Sequence, residues 1–168
     1  MLGNLSLVVG HDAVEPARTL LQRIEEYPLL AQSIVLSAVA RTLFAAGLAE
    51  ESLVVSQQEL ALARHVGVPT DIGMASARLA HSLLRLGDLS GARTWISATA
   101  QHVAQNSFAR TYHLYNSITL SIADRNFARA ERQLAELWTQ DEAKKKVAQR
   151  GIIGMSLMLE NARGRMTQ

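Results

Sequence analysis

Apolar positions recur along this chain at the spacing of a helix face. Ile72, Ser76, Leu79, Ala80 and Leu83 form one stripe that runs up to Gly87, and Leu89, Ala92, Ile96, Ala100 and Val103 continue it beyond the turn. The pattern returns in Leu114, Ile118 and Ile122, breaks at Asn126, and resumes in Phe127, Ala130, Leu134, Leu137 and Trp138. The two breaks superpose: Leu86-Gly87-Asp88-Leu89-Ser90-Gly91-Ala92 is followed 38 residues later by Asp124-Arg125-Asn126-Phe127-Ala128-Arg129-Ala130. A weaker copy around Ala46-Gly47-Leu48 lies 40 residues before the first. A period of this length predicts stacked helical hairpins, each burying its apolar face against its neighbours.

Gly, Pro and capping residues divide the chain into about eight predicted helices. The first covers residues 12–27, where Asp12 and Glu15 have the spacing of a capping box and Pro16 falls in the first turn. Pro28 separates it from the second, which ends at Gly47. The third covers residues 49–66 and stops at Gly67-Val68-Pro69. Asp88 and Asn126 occupy equivalent N-cap positions. A last helix covers residues 142–163 and carries Val147, Ile152, Met155, Leu157, Met158 and Leu159, and close packing accounts for Gly151 and Gly154 within it. The last helix has no successor, and the first lacks a partner before it unless residues 2–9 are its remnant. The predicted organisation is an N-terminal segment over residues 1–11, a repeat domain over 12–165 and a tail over 166–168. Unpaired ends predict a piece of a longer array, or a homodimer through exposed terminal helices.

Composition agrees with an all-α protein. Of 168 residues 48% are hydrophobic, only three are proline and 5% are aromatic, and the apolar run at residues 5–9 is too short to found a sheet. Residues 29–49 approach the length of a membrane span, but Arg41 at their centre argues for a covered inner helix instead. Seventeen basic and fifteen acidic residues nearly balance, and the bases are scattered except at Lys144-Lys145-Lys146, so nucleic acid is not implied. The absence of cysteine excludes disulfides and fits a cytoplasmic protein. His11, His65, His81, His102 and His113 never recur at metal-ligand spacing, no phosphate-binding glycine loop precedes a Lys-Ser or Lys-Thr pair, and the acid pairs Glu25-Glu26, Glu50-Glu51 and Asp141-Glu142 are adjacent residues that diverge on a helix. Neither a cofactor nor an enzymatic activity is expected. The polar cluster of residues 107–125, with Thr111, Tyr112, His113, Tyr115, Asn116, Ser117, Thr119 and Ser121, stands out from the Leu/Ala background.

Residues 75–93 resemble a tetratricopeptide repeat. Leu79 and Ala80 fall on its Leu-Gly/Ala pair, Gly87-Asp88 on its turn, and Leu89 and Ala92 on its first return-helix contacts. Residues 59–67 resemble helix ends of the longer repeats in MalT-like regions of bacterial LuxR-type regulators. In the third hairpin Ser117 and Ile118 stand where the pair would be, and in the first Ser52 stands where the return-helix alanine would be. The resemblance implies a right-handed α-solenoid of stacked antiparallel helix hairpins. It also implies a concave groove lined by Arg41 and Phe44, then His81 and Arg85, then Tyr112, Tyr115 and Thr119. Two guanidinium groups and two phenols would suit a protein or peptide partner bearing acidic or C-terminal carboxylate groups. The implied function is a non-enzymatic interaction module of a bacterial signalling protein. The alternative is the ligand-sensing region of a MalT-like transcription regulator.

Overall fold

The computed structural model describes residues 11–102, 107–139 and 146–164. They hold eight α-helices: α1 (Val14–Gln22), α2 (Leu29–Ala45), α3 (Ala49–Val66), α4 (Pro69–Leu86), α5 (Leu89–Ala100), α6 (Ser107–Ala123), α7 (Phe127–Thr139) and α8 (Lys146–Gly164). No strand occurs among the described residues. The first predicted helix is interrupted: short 3-10 turns at His11–Ala13 and Ile24–Glu26 flank α1. Its capping box does not form, because Ala13 rather than Asp12 caps α1 and Glu15 pairs with Arg18 instead. The calls on residues 1–10, Val103, Glu142, Lys144, Lys145 and the tail lie outside the described residues, as do the side chains of Lys146, Val147 and Gly151.

Each helix packs on its successor, and α4 packs also on α6, α6 on α8 and α2 on α4. The even-numbered helices therefore form a layer of their own, with α3, α5 and α7 in the connections between them. The turns repeat atom by atom. Leu48 N–H donates to the Leu43 carbonyl, Asp88 N–H to Leu83 and Asn126 N–H to Ser121, at 2.9, 3.0 and 2.8 Å. The residue before each donor is left-handed: Gly47 at φ +83°, Gly87 at φ +80° and Arg125 at φ +58°. This is the glycine-terminated helix end, with the helix's last carbonyls satisfied from beyond the turn. Asp88 then accepts from Gly91 N–H at 2.8 Å, and Asn126 from Arg129 N–H at 3.2 Å.

Arg125 occupies a conformation that costs an L-residue with a β-carbon about 1–2 kcal/mol. Arg125→Gly is therefore expected to stabilise the protein by about 0.5–1 kcal/mol, the extra freedom of glycine in the unfolded chain offsetting part of the relief. A urea midpoint that falls in the variant would show that the Arg125 side chain contributes more than its strain costs.

The predicted stripes are buried where helices meet. Leu79, Ala80, Ala92, Ile96, Leu114, Ile118, Ala130, Leu137, Ile152 and Leu159 lie in the core, whereas Leu83 is half-buried. Ala100 and Trp138 are exceptions, both exposed. On α8, Ile153, Leu157 and Met158 are exposed too, and Gly154 faces open space rather than a close neighbour. The close approach falls elsewhere. A β-carbon on Gly73 would lie 2.6 Å from that of His102, so glycine lets the start of α4 meet the residues just after α5. Half of the polar cluster of α6 is buried, namely Thr111, Asn116, Ser117 and Ser121, and Asn116 Nδ2 donates to the Ala77 carbonyl on α4 at 2.7 Å. No described helix is long and apolar enough to cross a membrane.

Candidate functional site

Helix periodicity aligns one face of each even-numbered helix with the next. On α2, Leu30, Ser37, Arg41 and Phe44 follow at three-, four- and seven-residue steps. On α4, Met74, Arg78, His81 and Arg85 follow at three- and four-residue steps. Between these faces opens a recess of about 190 Å³, lined by Ala40, Arg41, Phe44, Ala45, Ser52, Arg78, His81, Ser82 and Tyr112. Four of the seven residues assigned to the groove, Arg41, Phe44, His81 and Tyr112, thus meet in one place. A fifth, Arg85, reaches the same cluster, its guanidinium carbon 5.3 Å from the centre of the Phe44 ring. Tyr115 and Thr119 do not line the recess. Tyr115 is half-buried against the cluster of Leu114 and Ile118, and the Thr119 hydroxyl donates to the Tyr115 carbonyl at 3.0 Å.

The recess has an aromatic wall and an electropositive floor. The Phe44 and His81 rings are in close tilted contact, their centres 4.2 Å apart at 52°. Burial, reinforced by the neighbouring Arg85 charge, lowers the His81 pKa to about 4. The imidazole is therefore neutral at pH 7. Burial, with a smaller contribution from Tyr112, raises the Tyr115 phenol above its ordinary range, so that it stays protonated. Arg41 Nε is buried without a hydrogen-bond partner. Such a group costs about 1–3 kcal/mol until something accepts from it.

Two charged residues that sequence reasoning did not assign complete the floor. Arg78 Nε donates to Glu59 at 2.7 Å and its Nη2 to the other carboxylate oxygen, and the two residues are only 8% and 2% exposed. Glu59 stands four residues after Val55 and four before Ala63, both buried, so it is an acid placed in the apolar stripe of α3. Arg78 adjoins Ala77 and Leu79 in the buried middle of α4. An unpaired acid in one helix's stripe facing a base in the next is the signal that would have found them. Beside them the Ser52 hydroxyl, 2.9 Å from the Ala40 carbonyl and 3.2 Å from the Ser82 hydroxyl, ties α3 to α2 and α4.

Since Glu59 neutralises Arg78, the guanidinium groups of Arg41 and Arg85 leave the site with positive charge to spare. A second recess, about 570 Å³, shares Arg41, Arg78 and Tyr112 with the first and adds Leu30, Ser33, Ile34, Ser37, Glu59, Asp71 and Met74. Its size is that of a small-molecule or side-chain pocket, which the first alone does not reach. Among the described residues no three His, Asp or Glu side chains are grouped to hold a metal ion. No family model, no curated protein and no solved structure matches this chain.

Proposed function

We propose that the chain is a non-enzymatic interaction module, a right-handed α-solenoid of tetratricopeptide type in which α2, α4 and α6 present a carboxylate-binding site to a protein or peptide partner. The observation that carries this reading is the buried, partnerless Arg41 Nε set among Phe44, His81 and Tyr112. A carboxylate oxygen there would satisfy the orphaned donor and meet positive charge, while the rings exclude water and supply flat contact area. The one acid beneath the first recess, Glu59, is committed to Arg78, which favours holding an anion over transforming one. Cytoplasmic residence fits the cysteine-free composition.

Arg41→Ala is expected to weaken binding of an acidic peptide by about tenfold to a hundredfold, the range of a charge-assisted hydrogen bond, with far-UV circular dichroism unchanged. Anisotropy of a fluorescein-labelled Glu-containing peptide reads the loss. Retained affinity in a folded variant would remove the site.

A second reading is a ligand-sensing region of a MalT-like regulator. It is favoured by the position of Tyr112, which brings α6 to the same recess as α2 and α4. An occupant touching three packed helices would select one of their arrangements. The exposed Ile153, Leu157 and Met158 on α8 support a homodimer through that end of the stack, whereas Leu20 and Leu21 of α1 are half-buried at the other.

A further inference from the structure

The cationic recess borders the second one at Arg41, Arg78 and Tyr112, and the wall along α2 and α4 changes character from one to the other. At one end stand Phe44, Arg41 and Arg85. At the other, Leu30 and Ile34 are 69% and 56% exposed, and Met74 faces them across the trough. Asp71 lies at this apolar end and repels an anion there, so a carboxylate has one preferred end of the trough. Two large aliphatic side chains left open beside a buried ion pair and an unsatisfied arginine are complementary to an occupant with two features: an acid and, some distance away, an apolar side chain.

Building on the carboxylate-binding reading, we propose that the trough takes an extended peptide segment in which a large aliphatic side chain lies three positions from the acidic one. The acid meets Arg41 and the aliphatic side chain packs on Leu30, Ile34 and Met74. The spacing follows from the scaffold. Ile34 and Arg41 are seven residues apart on one helix, about 10 Å at 1.5 Å per residue, and a peptide in the extended polyproline II conformation, with three residues per turn, sets side chains three positions apart on one face about 9 Å from each other at 3.1 Å per residue. Covering an aliphatic side chain in this way strengthens binding by about tenfold to a hundredfold.

The test is an NMR titration, which reads millimolar affinities, of the whole chain with three probes: acetyl-Gly-Leu-Ser-Gly-Glu-Gly-amide, the same peptide with Gly for Leu, and one with Leu adjacent to Glu. The first is expected to bind at least tenfold more tightly than the other two. Ile34→Ser, an exposed substitution, is expected to abolish that preference. Equal affinities for the three peptides, or a preference that survives Ile34→Ser, would overturn the aliphatic subsite. In that case the carboxylate reading stands if binding still requires Arg41. If no peptide binds, or Arg41→Ala binds as well as the native chain, both are overturned.

Discussion

Glu59→Ala is expected to destabilise the protein by about 3–5 kcal/mol, enough to bring a domain of ordinary stability close to unfolding. The effect comes from what remains. Arg78 is 8% exposed and donates both hydrogen bonds of its ion pair to Glu59. Removal of the acid therefore leaves a guanidinium charge inside the helix layer without a counter-ion. Arg78→Met in the same background removes the uncompensated charge and is expected to recover part of the loss, the remainder being the cavity left where glutamate becomes alanine. Urea denaturation of the native chain, the two single variants and the double variant supplies the cycle. A loss under 1 kcal/mol for Glu59→Ala would show that Arg78 reaches solvent through the recess, and the floor of the site would not be as described.

Acid is expected to weaken the fold through His81. Its pKa of about 4 lies below the ordinary histidine value because the folded state buries the ring and sets Arg85 beside it. The unfolded chain therefore takes up a proton near pH 6.5, before the folded one does. The stabilisation is complete above pH 6.5 and is lost as the pH falls from there through 4, amounting to about 2 kcal/mol at pH 5. His113 contributes in the same direction, since burial lowers its pKa as well. The groups packed around His81 are Arg41 from α2, Arg78 and Arg85 from α4 and Tyr112 from α6. His81→Phe retains a ring against Phe44 and is expected to make the stability profile between pH 7 and 5 markedly flatter. A native chain whose urea midpoint is the same at both pH values would contradict the burial of His81.

The hairpin turns were legible because turn chemistry is local. Gly87-Asp88 and Arg125-Asn126 sit one period apart in the sequence, and the same hydrogen bonds recur at both. Helix bounds marked by glycine or proline, as at Ala49–Val66, follow for the same reason. Errors arose where a single stripe had to be divided between core and surface. Ala100 and Trp138 continue their helical stripes by spacing alone, yet both are exposed, because burial there depends on where the next helix passes. In the site, Arg41, Phe44, His81 and Tyr112 were named from the resemblance to a tetratricopeptide repeat and meet at one recess, while Tyr115 and Thr119, one turn and two turns further along α6, are drawn into its own packing. Glu59 breaks the apolar stripe of α3, but its pairing with Arg78 is created only when α3 folds onto α4. The polar face of α6 carried the opposite lesson: Asn116 is polar in order to hold α6 to α4, and it is not a groove residue.

In the proposed function Arg41, His81 and their neighbours receive a carboxylate, and the His81 imidazole pKa, followed by NMR with and without saturating acetyl-Gly-Leu-Ser-Gly-Glu-Gly-amide, reads its arrival. A carboxylate beside the ring stabilises the imidazolium, so the pKa is predicted to rise clearly from its value of about 4 in the free protein. A His81 titration that is identical in the presence of the peptide would contradict it.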